Sequence, residues 1–242
     1  MKVSIFCFSI IILILVGCIN LKSIETQLEG EVIDLSRKGL LEVPPEVFQN
    51  KSVRVLKLFG NSLTSIPEEI GELENLEKLY LGKNNLTKLP EAIGRLKKLK
   101  ILSAQYNLID TLPDSLGEMT NLEELILNQN KLKNLPKSIG QLKKLDVLKL
   151  NFNSLVSLPE QISKCENLQF VYLNQNNLRK LPASFSNLRK LKELYVSNAG
   201  ALLDLSEELC GLRYFEVLQI DQTTLVPNCL LVHKTNRLRI IQ

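Results

Sequence analysis

Residues 122–144 read LEELILNQNKLKNLPKSIGQLKK, and the same frame of 23 residues runs through most of the chain. Counted from Gly30, it restarts at Val53, Leu76, Leu99, Leu122, Leu145, Leu168 and Leu191, and an incomplete ninth copy begins at Phe215. An ordinary globular core has no need for columns of identical residues. A stack of short coils does, because every coil must offer the same side chain at the same height. The sequence therefore predicts a solenoid, whose length of 242 residues says little about domain number.

Each column has a physical reading; positions are numbered from 1 at Leu122 and its equivalents. Positions 4 and 6 flank one outward residue, as in Leu56-Lys57-Leu58 and Leu79-Tyr80-Leu81. That alternation predicts one short strand per coil, with the leucines turned inward and the strands stacked into a parallel sheet. Position 9 holds Asn61, Asn84, Asn107, Asn130, Asn153 and Asn176. An amide there satisfies backbone groups where the chain leaves the strand. Pro44, Pro67, Pro90, Pro113, Pro136, Pro159 and Pro182 open the return limb, where Pro suits the first turn of a short helix. Acidic residues follow in Pro67-Glu68-Glu69 and Pro90-Glu91, favourable near a helix N-terminus. Gly71, Gly94, Gly117 and Gly140 are expected where the limb reverses and little side chain is tolerated.

These columns resemble the leucine-rich-repeat proteins, in their 23-residue class with an Ile-Pro or Leu-Pro pair, over about 190 residues. The resemblance implies an α/β horseshoe with parallel strands on the concave side and short helices or 3₁₀ turns on the convex side. It implies a binding surface and no shared catalytic residues. The ends depart from the pattern: Gly30 and Lys38 replace Leu and Asn in the first copy, as expected of a capping repeat. In the copy from Leu191 an extra residue enters around Asn198-Ala199-Gly200-Ala201, and Ser206 replaces Pro. Leu218 and Ile220 are expected to make the last strand, with Val226 to Gln242 as a cover over the end of the stack.

The first residues are of another kind. After Met1-Lys2, Val3 to Val16 is an apolar run of fourteen residues, short for a membrane span of about 20 and suited to a signal-peptide core. It ends in Leu15-Val16-Gly17-Cys18, which resembles the lipobox of bacterial lipoproteins. That resemblance implies cleavage before Cys18, acyl chains on Cys18, and an exported protein held on a bacterial outer membrane or cell surface. Cutting the chain accordingly gives a signal peptide over 1–17, a lipidated tether and cap over 18–29, eight repeats over 30–214, and a partial repeat with a C-terminal cap over 215–242. An unprocessed signal anchor is the alternative.

A concave sheet would present positions 3, 5, 7 and 8. Seven of the eleven aromatics from Cys18 onward fall there: Phe59, Tyr80, Tyr106, Phe152, Phe170, Tyr172 and Tyr195. Rows of exposed aromatics anchor interfaces; packing of neighbouring strands for stability is the competing explanation. Phe152, Phe170, Tyr172 and Tyr195 are expected on three adjacent strands. Lys57, Lys78 and Lys83 add positive charge to the same face, and Asn128, Asn151 and Asn174 add hydrogen-bonding capacity. The mixture suits a protein surface or a glycan. With 30 basic against 26 acidic residues, and convex pairs such as Lys97-Lys98, Lys143-Lys144 and Arg189-Lys190 set among acids, nothing favours nucleic acid.

No enzyme is expected, and no cofactor. The single histidine, His233, has no cysteine or serine at a recognised motif spacing, and Cys165 occupies a leucine column. Cys210 and Cys229 are candidates for a disulfide fastening the tail if the protein is exported. The expected function is a lipid-anchored protein that binds another protein, a glycan or a host molecule through its concave face. A structural envelope role without a specific partner, and an intracellular adaptor with an unprocessed signal, are the alternatives.

Overall fold

The computed structural model describes residues 28, 30–232 and 238–242. Cys18, the apolar run before it and His233 lie outside the described residues. Ten parallel strands form one sheet in strict sequence order. They are β1 (Val32–Asp34), β2 (Val55–Lys57), β3 (Lys78–Tyr80), β4 (Ile101–Ser103), β5 (Glu124–Ile126), β6 (Val147–Lys149), β7 (Phe170–Tyr172), β8 (Glu193–Tyr195), β9 (Val217–Gln219) and β10 (Arg239–Ile241). From β1 to β8 the register advances by the 23 residues of the repeat, as in Val55 opposite Lys78 and Lys78 opposite Ile101. Three residues suffice for each strand because only its middle side chain, such as Leu56, Leu79 or Leu125, points into the core. The leucine columns at positions 1, 4, 6, 11 and 14 merge into one continuous core.

The return limbs are 3₁₀ turns, among them Glu68–Glu72, Glu91–Arg95, Asp114–Glu118 and Lys137–Gln141. Pro67, Pro90, Pro113 and Pro136 stand one residue earlier than expected, at the N-cap with extended backbone, rather than inside the first turn. Their carbonyls accept the first turn bond, as from Ile70 N to Pro67 O (3.1 Å). The acidic residues behind them also reach across coils: Glu68 Oε2 accepts from Ala92 N at 2.8 Å.

The glycine column also has a different cause from the one the sequence suggested. Gly94 and Gly117 lie within the 3₁₀ turns and need no left-handed backbone. A Cβ on Gly94 would stand 2.5 Å from Ser115 O, and one on Gly117 would stand 2.4 Å from Ser138 O. Glycine is there because successive turns pack backbone against backbone.

The Asn column forms the expected ladder. Asn84 Oδ1 accepts from Leu63 N (3.1 Å) in the coil before, while its Nδ2 donates to Leu58 O and Leu81 O, both at 3.0 Å. The pattern repeats through Asn107, Asn130, Asn153 and Asn176. It ends in the copy from Leu191, where position 9 is Ala199. There Leu178 N donates instead to the backbone carbonyl of Ala199 (2.5 Å). The extra residue after Asn198 makes this approach possible, and Gly200 is required because a Cβ on it would meet Leu178 O at 1.6 Å.

The C-terminal segment does more than cover the stack. Residues Arg239–Ile241 add a tenth parallel strand, paired in register with Val217–Gln219, so Leu218 and Ile220 do not end the sheet. Ile240 packs against the core in the place of a leucine column. Among the described residues an α-helix, α1 (Asn228–Val232), packs on the last 3₁₀ turn, Glu207–Gly211. Cys210 in that turn and Cys229 in α1 have Cα atoms 6.0 Å apart, within the range a disulfide spans.

A second period is superposed on the first. Position 23 alternates Asn75, Lys98, Asn121, Lys144, Asn167, Lys190, a repeat of 46 residues. Each Asn clasps three coils. Asn121 Nδ2 donates to Lys97 O (2.7 Å), and its Oδ1 accepts from Lys144 Nζ (2.6 Å). Lys51–Glu72 (2.7 Å) and Lys97–Glu118 (2.8 Å) recur on the same edge with the same period, and Lys143, next in the series, pairs with Glu166 (2.9 Å) at a different position of its coil. Lys97, Lys98, Lys143 and Lys144 are exposed to solvent and at the same time bridge neighbouring coils.

Candidate partner-binding face

Positions 3 and 5 lie on the strands, and positions 7 and 8 in the turn that follows them. Tyr80, Phe170, Tyr172 and Tyr195 are strand residues. Phe59, Tyr106 and Phe152 lie beyond their strands, so Phe152 does not share a row with Phe170, Tyr172 and Tyr195. Apart from Tyr80, the aromatics accordingly fall into three kinds of site.

The first is a stacked pair. The rings of Tyr172 and Tyr195, on neighbouring strands, lie 4.5 Å apart and 12° from parallel. Both hydroxyls donate to Glu193 Oε2, at 3.4 Å from Tyr172 and 2.9 Å from Tyr195. Burial and the adjacent carboxylate push the Tyr195 phenol up to about 12, and burial, then Glu193, raise that of Tyr172. Lys149 Nζ sits 5.3 Å from the Tyr172 ring centre, a cation–π distance. Here the tyrosines do pack on each other, as the competing reading of the sequence held.

The second kind is an aromatic covered by a cation: Phe59 beneath Arg37 (5.8 Å) and Phe170 beneath Lys192 (5.9 Å). Of the lysines named from sequence, Lys57 pairs with Asp34 at 3.2 Å, one strand away. Lys78 is half-buried on β3 and Lys83 is exposed in the turn behind it.

The third kind was not legible in the columns. Position 8 adopts left-handed backbone in every coil from the first to the eighth: Arg37, Gly60, Lys83, Tyr106, Gln129, Phe152, Gln175 and Asn198, with φ between 52° and 72°. Glycine and Asn enter this region readily, whereas a bulky residue is strained there by roughly 1–2 kcal/mol. Tyr106 and Phe152 occupy it nonetheless, and their side chains are 50% and 52% exposed. Gly60 and Asn198 in the same column were the signal that could have revealed the conformation. Phe152→Asn is expected to raise stability by about 1 kcal/mol through relief of this strain. A urea midpoint lower than that of the native chain would show that the ring stabilises the fold.

The polar residues of the face are partly committed to structure. Asn128 Oδ1 accepts from Asn151 N, Asn151 Oδ1 from Asn174 N, and Asn174 Oδ1 from Ser197 N, each at 2.8 Å. They form a second ladder rather than a reserve of free amides. Away from the face, Cys165 is fully buried, donates to Ile139 O (3.2 Å), and has its thiol pushed up to about 12 by burial. A thiol so protonated is no nucleophile. Among the described residues, no group of three or more His, Cys, Asp or Glu could hold a metal ion, and no helix is long and apolar enough to cross a membrane.

Comparison with known proteins follows the repeats. Residues 45–156 match the family described as Leucine-rich repeat region, and residues 143–200 match Leucine rich repeat. No curated protein matches the chain. Among solved structures, a leucine-rich-repeat protein of Leptospira interrogans is 30% identical, with a TM-score of 0.75 over 87% of this chain and 60% of that one. The Arabidopsis receptor kinase HAESA, solved with the peptide hormone IDA and the co-receptor SERK1, is 30% identical with a TM-score of 0.66, over 78% of this chain and 33% of that one. An internalin from Listeria monocytogenes shares the fold at 17% identity, with a TM-score of 0.77 over 92% of this chain and 64% of that one. The chain thus spans less than two thirds of the first protein and about a third of the second. By its repeat matches over residues 45–200 and its ten-stranded stack, the chain is a leucine-rich-repeat solenoid.

Proposed function

We propose that this is a lipid-anchored, exported protein that captures a protein or peptide through its sheet face. The observation that carries the binding reading is the pair Tyr106 and Phe152, held half-exposed in left-handed backbone two coils apart. Exposed aromatics bury large area at low entropy cost and are the side chains that anchor interfaces. HAESA, a similar solenoid, is seen with a peptide hormone, which is the kind of partner a face of aromatics and ordered amides accepts. The anchor rests on Leu15-Val16-Gly17-Cys18.

The two halves are tested separately. Cys18→Ala is expected to abolish incorporation of labelled fatty acid and to leave a precursor retaining its signal; unchanged labelling refutes the anchor. On the exported, unfolded protein, thiol counting is expected to find one reactive thiol, Cys165, besides any at Cys18. Three would mean that Cys210 and Cys229 remain reduced. For binding, Tyr106→Ala with Phe152→Ala is expected to abolish capture of a partner in pull-down without lowering the urea midpoint, because both side chains are half-exposed. Full retention of capture would show that these aromatics do not form the binding site.

A further inference from the structure

The two lateral edges of the stack differ in their charges. The edge that precedes the strands carries the ion pairs and Lys–Asn clasps described above. On the edge that follows them, positions 10, 12 and 13 face outward while positions 11 and 14 are buried. Successive coils are joined there by backbone bonds, as from Lys131 N to Ile109 O (2.8 Å) and Val156 N to Lys133 O (3.2 Å), so equivalent residues stand in a row. The basic residues of the row, all exposed, are Lys88, then Lys131 with Lys133, then Arg179 with Lys180, each group two coils from the last. At about 5 Å per coil these five cations span about 20 Å. None enters a salt bridge among the described residues. In the coils between them the same edge exposes aliphatic side chains: Leu108, Val156 and, beyond Lys180, Leu202, which is 68% exposed. Asp110 and Asp204 are the acids in that stretch, leaving three more positive charges than negative ones.

We propose that this edge lies on an anionic membrane surface, with the cations on headgroup phosphates and Leu108, Val156 and Leu202 at the boundary of the acyl region. Unpaired cations attract any polyanion, but aliphatic residues set between them add affinity only where an apolar layer lies beneath the charge. The proposal rests on the lipid-anchored reading for its geometry. Leu28 enters on the opposite edge, where Asn50 Nδ2 donates to its carbonyl (2.8 Å). The ten residues from Cys18 to Gln27 reach at most about 35 Å, enough to cross the end of the stack and leave the basic edge against the bilayer. In this orientation the sheet face stands perpendicular to the membrane, open to a partner in solution.

The test dispenses with the lipid, so it is independent of the anchor. The chain from Cys18 to Gln242 carrying Cys18→Ser is mixed with vesicles of phosphatidylcholine alone or in equimolar mixture with phosphatidylglycerol, and sedimented. Sedimentation is expected with the anionic vesicles only, falling as added salt shortens the screening length. Combined Lys131→Glu, Lys133→Glu, Arg179→Glu and Lys180→Glu is expected to weaken it at least tenfold, and Leu202→Ser with Val156→Ser to weaken it further. Lys51→Gln with Lys143→Gln, on the other edge, is expected to leave it unchanged. If the charge-reversed chain does not fold, the same four positions changed to Gln carry the test. Absence of sedimentation, equal loss from both edges, or tight binding to soluble heparin without binding to vesicles would overturn the proposal; the last outcome would identify a glycan site.

Discussion

Leu127→Ala is expected to destabilise the chain by about 2–5 kcal/mol, towards the upper end of that range. Leu127 is fully buried at position 6 of a central coil. The equivalent residue in the coil before it is Ala104, also fully buried, so Leu127 already fills space that a leucine column would share between two side chains. Removing it joins the space beside Ala104 to a new cavity. The coils cannot slide together to close it, because backbone bonds from Ala104 N to Ile126 O and from Leu127 N to Lys149 O, each 2.8 Å, fix their spacing. Urea unfolding of the two chains measures the difference. Because each coil contacts only its neighbours, a shallower transition in the mutant would report separate unfolding of the two halves of the stack. A loss below about 1 kcal/mol with an unchanged slope would mean that position 6 is not the core column the repeat implies.

What the sequence made legible and what it hid divide along a physical line. A column is readable when one residue type solves the same local problem in every coil. Leu at positions 4 and 6, Asn at position 9 and Pro before the 3₁₀ turn are of this kind, and they predicted the parallel sheet and the ladder. The reason behind a column is less readable: Gly94 reads equally well as a residue of chain reversal or of close packing, and only the position of Ser115 O decides between them. Position 8 was obscured because eight coils adopt one backbone conformation with Arg, Gly, Lys, Tyr, Gln, Phe and Asn in it.

The period of 46 was present in the letters, in the alternation of Asn and Lys at position 23, but a frame of 23 averages it away. Its meaning lies in three-coil clasps such as Lys97–Asn121–Lys144, which need the fold to be seen. The tenth strand escaped because Arg239-Ile240-Ile241 carries the alternation of a strand without any other column of the repeat. For the candidate site, composition found the aromatics but not their division. Tyr172 and Tyr195 are locked together, whereas Tyr106 and Phe152 are free to meet a partner.

Asn130→Ala is expected to cost about 2–6 kcal/mol, comparable to the loss of a core leucine from a residue that is polar. Asn130 makes three bonds to buried backbone: its Oδ1 accepts from Ile109 N, and its Nδ2 donates to Ala104 O and Leu127 O, all at 3.0 Å. The three losses are unequal. Ala104 O also accepts from Asn107, and Leu127 O from Asn153, so each carbonyl keeps one donor and forfeits about 0.5–1.5 kcal/mol. The Ile109 N–H has no second acceptor in the ladder and, buried, contributes a further 1–3 kcal/mol or so. Asn130→Asp separates these contributions: it keeps the acceptor for Ile109 N while replacing the donor by an oxygen that faces two carbonyls. Its loss at neutral pH is expected to exceed that of the alanine variant and to shrink as the carboxyl is protonated, because a protonated Asp regains one donor. An Asp variant close to the native chain in stability, and well above the Ala variant, across that pH range would show that Ile109 N, rather than the carbonyls, is what the Asn column exists to satisfy.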